Sequence, residues 1–232
     1  MSPKIKKAVL SVALIGAVTL RRIKKKWDHE RKVKKETYTK LTKVIHPNAT
    51  LFVGDSITQQ HPVEDLYQEF DAVNRGVNGD TTEDILERFD EHVIAARPKT
   101  IVMLMGINDI AKKTSVEDIA KNVETMITKI QVSLPNTRTI LLATFPINKS
   151  HLINHYVLIN RDNETVDELN EVYRSLALSK GIEFYNLNEY LSDEHGDLKS
   201  EFTTDGLHIN IDAYVEIEKH LSEILRQKLN IV

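Results

Sequence analysis

The chain has 232 residues, 41% of them hydrophobic, which is enough for one sizeable core; having no cysteine, it has no disulfides, thiolate metal sites or cysteine nucleophile. The net charge of -3 conceals an asymmetry: residues 1–45 carry 14 Lys and Arg against 3 acids, and residues 46–232 carry 17 against 31. The acidic body offers no basic face to a polyanion, so it excludes nucleic acid as a partner, whereas the basic start suits an anionic membrane surface.

The first element is Ala8 to Leu20, an uncharged run of 13 residues between basic clusters. As a helix at ~1.5 Å per residue it spans about 20 Å, short of the roughly 30 Å hydrocarbon core. Extended from Ile5 to Ile23, with terminal Lys and Arg snorkelling, it reaches a tilted or bilayer-thinning span. A secretory signal is the competing reading and would mean export. Against it, no small-x-small cleavage site precedes Arg21-Arg22, and the basic cluster after the run favours keeping the following chain in the cytoplasm, attached to the inner face of the membrane. A surface or buried amphipathic helix is the third reading. Trp27 to Val44 reads as a solvated helix ending before Pro47, so residues 1–46 form a basic extension and 47–232 one globular domain.

Strand-like runs then fall at 50–54, 70–74, 99–105, 138–144 and 182–187, separated by helical patterns near 82–95, 115–133, 162–180 and 211–229. Apolar strands alternating with helices predict an α/β fold with a parallel sheet covered on both faces. Asp80-Thr81-Thr82-Glu83, with Asp80 as the cap, and Ser115-Val116-Glu117-Asp118 resemble helix N-terminal signals.

In such a sheet the site lies beyond the carboxyl ends of the strands. Those junctions hold Gly54-Asp55-Ser56, Arg75-Gly76-Val77-Asn78-Gly79-Asp80 and Gly106-Ile107-Asn108-Asp109; Thr203-Thr204-Asp205-Gly206-Leu207-His208 precedes the last helix. A serine hydroxyl needs an imidazole base, and the imidazole needs an acceptor that fixes its tautomer. Asp205 and His208, three residues apart, can meet locally while His208 reaches Ser56. The backbone N–H groups of Ser56 and Gly79 and the amide of Asn108 are suited to an oxyanion hole, with Gly76 a less favoured rival to Gly79. Asp55 and Asp109 read as structural acceptors rather than catalytic groups.

These four blocks, in this order across residues 50–229, resemble the GDSL or SGNH hydrolase superfamily. They are especially similar to its bacterial branch, which is akin to the catalytic subunits of platelet-activating-factor acetylhydrolase. Ile107 departs from the small residue many relatives place there. The resemblance implies a flavodoxin-like three-layer αβα sandwich with a mostly parallel five-stranded sheet. It also implies esterase chemistry without metal or cofactor, through an acyl-enzyme on Ser56 with His208 and Asp205, and, by analogy, a homodimer. The expected substrates are short acyl esters, acetyl among them, of a lipid, glycan or small alcohol. The alternative is a non-catalytic, membrane-associated binding protein that keeps the pocket.

His151 and His155 stand at i and i+4 but lack the Glu and third ligand of a zinc helix. Residues 145–162 read equally as a wall over the pocket or as an ordinary connection. No G-x-S-x-G elbow is present.

Overall fold

The computed structural model describes residues 3–150 and 155–227, with side chains for all of these except 3–18, 20 and 155. In chain order the elements are α1 (Pro3–Thr42), β1 (Thr50–Gly54), α2 (Ser56–Gln60), α3 (Val63–Leu66), β2 (Ala72–Gly76), α4 (Thr82–Glu87), α5 (Phe89–His92), β3 (Thr100–Leu104), α6 (Ile107–Ala111), α7 (Val116–Ser133), β4 (Arg138–Leu142), α8 (His155–Leu158), α9 (Asn163–Lys180), β5 (Glu183–Tyr185), α10 (Asn188–Leu191) and α11 (Ile211–Arg226). The chain divides into two compact units, Met1–Tyr38 and Thr39–Val232. Among the described residues no helix is long and apolar enough to cross a membrane.

The five strands form one sheet in the order β2-β1-β3-β4-β5, every pair parallel. β1 and β3 are buried along their whole length, which explains their continuous apolar runs in place of alternation. α4, α7 and α9 pack side by side, while α11 packs on α10 and reaches α2 through Tyr214 Oη, which donates to Ile57 O at 2.6 Å. The sheet thus lies between helical layers. α7 buries Val116, Ile119, Val123, Met126, Ile127 and Ile130, one stripe at the i, i+3, i+4 recurrence of a helix face, and each large aliphatic side chain buried this way contributes about 1.5–3 kcal/mol.

Because β2 and β3 flank β1 on opposite sides, the chain reverses its direction of travel across the sheet at the β1/β3 boundary. This is the switch point where open parallel sheets bind ligands, and the loops after β1, β2 and β3 all open there.

Some expected boundaries move, for local reasons. β2 begins at Ala72 rather than residue 70 because Gln68–Phe70 form a 3-10 turn closed by Asp71 in the left-handed region, φ 49°. The helix expected over 82–95 breaks into α4, α5 and a 3-10 turn, Ile94–Ala96. Its N-cap is Thr81, in a capping box with Asp84, and not Asp80, whose carboxylate is taken by Arg88. Ser115 does cap α7.

Candidate active site

β1 ends where Gly54 is pressed between β3 and α2: a Cβ there would sit 2.2 Å from Leu104 O and 2.2 Å from Thr58 Oγ1. Asp55 leaves the strand and caps α2, accepting from Ile57 N–H at 2.9 Å, so Ser56 becomes the first residue of that helix. The close packing of Gly54 against Leu104 O and the Thr58 side chain, followed at once by the α2 cap, sets the serine at the carboxyl end of a central strand.

The last loop supplies the partner. Asp205 Oδ1 accepts from the N–H groups of Leu207 and His208, at 2.9 and 2.8 Å, which folds Asp205-Gly206-Leu207-His208 into a tight turn. Thr203 Oγ1 donates to His208 O at 2.7 Å and closes it. The turn brings Asp205 Oδ2 2.7 Å from His208 Nδ1, and His208 Nε2 lies 3.0 Å from Ser56 Oγ across 152 residues of sequence. A carboxylate only accepts, so Nδ1 carries the proton and Nε2 faces the serine with its lone pair. Partial burial raises the Asp205 carboxyl, but the bonds from the His208 ring and from the two N–H groups outweigh it and hold it down to about 2.

The groups expected to donate to an oxyanion follow β1, β2 and β3 in turn. Gly79 has φ +73°, which a glycine adopts without penalty, and neither its N–H nor that of Ser56 has a protein acceptor among the described residues. Gly76 is different: its N–H already donates to Asn74 Oδ1 at 2.8 Å, which removes it as a rival donor. Asn108, in the first turn of α6, donates through Nδ2 to Asp80 O at 3.1 Å and keeps its second amide proton. Asp80, in turn, is paired with buried Arg88 at 2.7 Å, and Arg88 Nη2 also donates to Gly54 O and Arg75 O, tying the β2 loop to the ends of β1 and β2.

Asp55 and Asp109 sit behind these groups. Burial pushes the Asp55 carboxyl up to about 7, against the pull of Ile57 N–H and His208. Burial also raises Asp109, which accepts from Thr82 N–H and, at 2.6 Å, from Thr82 Oγ1, fastening α4 to α6. Sequence reasoning missed Arg161, just before the α9 cap Asp162. It donates through Nη2 to Asn108 Oδ1 at 2.7 Å, through Nε to Ile107 O at 3.1 Å and through Nη1 to Val157 O. Its sole signal in the sequence is a lone Arg amid polar residues.

The 145–162 segment is anchored at its start, where Asn148 N–H donates to Gly206 O at 2.8 Å, and at its end by Arg161. His151 and the His155 side chain lie outside the described residues, as do residues 152–154. Among the described residues no group of His, Asp and Glu is arranged to hold a metal ion.

The GDSL-like Lipase/Acylhydrolase family model matches residues 52–215, from β1 through Asp205 and His208 into α11. The chain belongs to this family. As a GDSL-like acylhydrolase it is a hydrolase acting on esters. It is 27% identical over 184 residues to the human platelet-activating factor acetylhydrolase IB subunit alpha2, covering 77% of this chain and 76% of that one. A Streptococcus pneumonia structure, provisionally described as a platelet activating factor, is 32% identical with a TM-score of 0.84, covering 90% of this chain and 99% of that chain. The lipase/acylhydrolase from Enterococcus faecalis, 23% identical with a TM-score of 0.64 and covering 77% and 95%, shares the fold.

Proposed function

We propose that this acylhydrolase is a serine esterase that cleaves short acyl esters, acetyl foremost, through an acyl-enzyme. The observation that carries the reading is the unbroken hydrogen-bond chain from Ser56 through His208 to Asp205. Ser56 Oγ attacks the acyl carbon while its proton passes to His208 Nε2, and the carbonyl oxygen becomes an oxyanion. The N–H groups of Ser56 and Gly79 and the Asn108 amide receive that charge; each such donor, fixed in place beforehand, is worth roughly 10²–10³ in rate. Asp205 stays ionised and stabilises the imidazolium without taking its proton. Collapse of the tetrahedral adduct expels the alcohol, which takes the proton from His208. Water then attacks the acyl-serine, giving up a proton to His208, and the second collapse releases the carboxylic acid and returns the proton to Ser56.

The acetyl preference draws on the likeness to an acetylhydrolase subunit, and the alcohol is a lipid, glycan or small alcohol. Hydrolysis of p-nitrophenyl esters from acetyl to palmitoyl, with acetylated sugars alongside, tests it: activity should peak at the shortest acyl chain. A peak at long chains would replace the esterase reading with a lipase one. The basic extension, on this proposal, holds the enzyme at anionic membrane on the cytoplasmic side, and two copies associate as a homodimer, checked by light scattering.

A further inference from the structure

An asparagine amide can serve an oxyanion only if its nitrogen, not its oxygen, faces the substrate. Two neighbours decide this for Asn108. Asp80 O is an acceptor and requires Nδ2 opposite it, at 3.1 Å; Arg161 Nη2 is a donor and requires Oδ1 opposite it, at 2.7 Å. Reversing the amide would set nitrogen against guanidinium and oxygen against carbonyl, losing both bonds at once in a site where Asn108 is 9% exposed. Arg161 is itself immobilised, since Nε and Nη1 donate to the carbonyls of Ile107 and Val157. Ile107 O belongs to the residue directly before Asn108, so one guanidinium grips both the backbone and the side chain of the oxyanion strand-to-helix turn.

We infer that Arg161 is a positioning residue for the oxyanion hole: it fixes the Asn108 amide with its free N–H toward the developing charge and links the end of the 145–162 segment to that amide. This inference rests on the esterase reading. Lysine cannot replace it, because a single ammonium cannot address three acceptors from one plane. A residue that only stapled the loop to α6 would affect stability, and its effect on rate would multiply with that of Asn108.

The test is a double-mutant cycle on the full chain with p-nitrophenyl acetate. Arg161→Ala should lower kcat roughly 10- to 100-fold with KM within about twofold, the scale expected when a catalytic group is slightly misplaced. Asn108→Ala should lower kcat by ~10²–10³. The double variant should be no slower than Asn108→Ala alone, because Arg161 acts through that amide. Free guanidinium at millimolar concentration should restore part of the rate to Arg161→Ala and none to the double variant, and Arg161→Lys should remain impaired. Arg161→Gln, which keeps a polar side chain but not the planar guanidinium, guards against misfolding of the alanine variant and should be impaired in kcat as well, an unchanged kcat counting against the inference; thermal melts of every variant accompany the rates. An unchanged kcat in folded Arg161→Ala, or losses that multiply in the double variant, would overturn the inference while leaving the esterase reading intact. Turnover by Ser56→Ala equal to wild type would instead overturn the esterase reading, and this inference with it.

Discussion

Asp55 is the residue whose chemistry the mechanism leaves idle, yet it sits next to the serine and is almost wholly buried, 1% exposed. Its carboxyl is raised by burial from the ordinary 3.8 to about 7. A group whose folded pKa lies above its unfolded value holds its proton more tightly when folded. Its contribution to stability is therefore complete below pH ~3.8 and is lost as pH rises through ~7. Asp205 runs the other way: held at about 2, it stabilises the fold above pH ~3.8 and loses that effect as pH falls toward 2. Asp55→Asn retains the acceptor for Ile57 N–H and cannot ionise, so its melting temperature relative to wild type should climb between pH 4 and pH 8. A difference that stayed flat across that range would show that Asp55 does not titrate there.

At the level of elements, what β1 and α2 need is the absence of a side chain at Gly54. Gly54→Ala drives a methyl against Leu104 O of the neighbouring strand and against Thr58, and backbone cannot yield as a side chain can. It should cost about 1–3 kcal/mol in urea unfolding and slow the enzyme, since Ser56 follows two residues later. Wild-type stability in this variant would contradict the packing described for the strand end. The same elements show what the sequence discloses. β1 and its Gly-Asp-Ser end, the Asp205/His208 spacing and the position of Asn108 after β3 were all legible, because each depends on local periodicity or on chemistry at a strand end. Arg161 was not, since its partner Asn108 lies 53 residues away and neither residue's neighbourhood hints at the other. The break at Arg88 was hidden for the same reason: the helical pattern runs on through it, but its guanidinium turns to Asp80, Gly54 and Arg75, which only the folded chain brings together.

For the whole molecule, charge separates the extension from the body. With 14 Lys and Arg in residues 1–45, each worth about 1 kcal/mol near an anionic surface and weakening with salt, the 232-residue chain should sediment with anionic vesicles at low salt and be released at high salt. A chain beginning near Lys35 should remain in the supernatant and stay active; equal sedimentation of both would remove the extension as the anchor. On the proposed mechanism the reaction takes place elsewhere, at the junction of β1 with the turn before α11, where Ser56 meets His208. Treatment with an organophosphonate, followed by mass spectrometry, reads which residue there is nucleophilic. One adduct is expected, on Ser56, with neither labelling nor p-nitrophenyl acetate hydrolysis in folded Ser56→Ala; labelling or turnover by that variant at the wild-type rate would overturn Ser56 as the nucleophile.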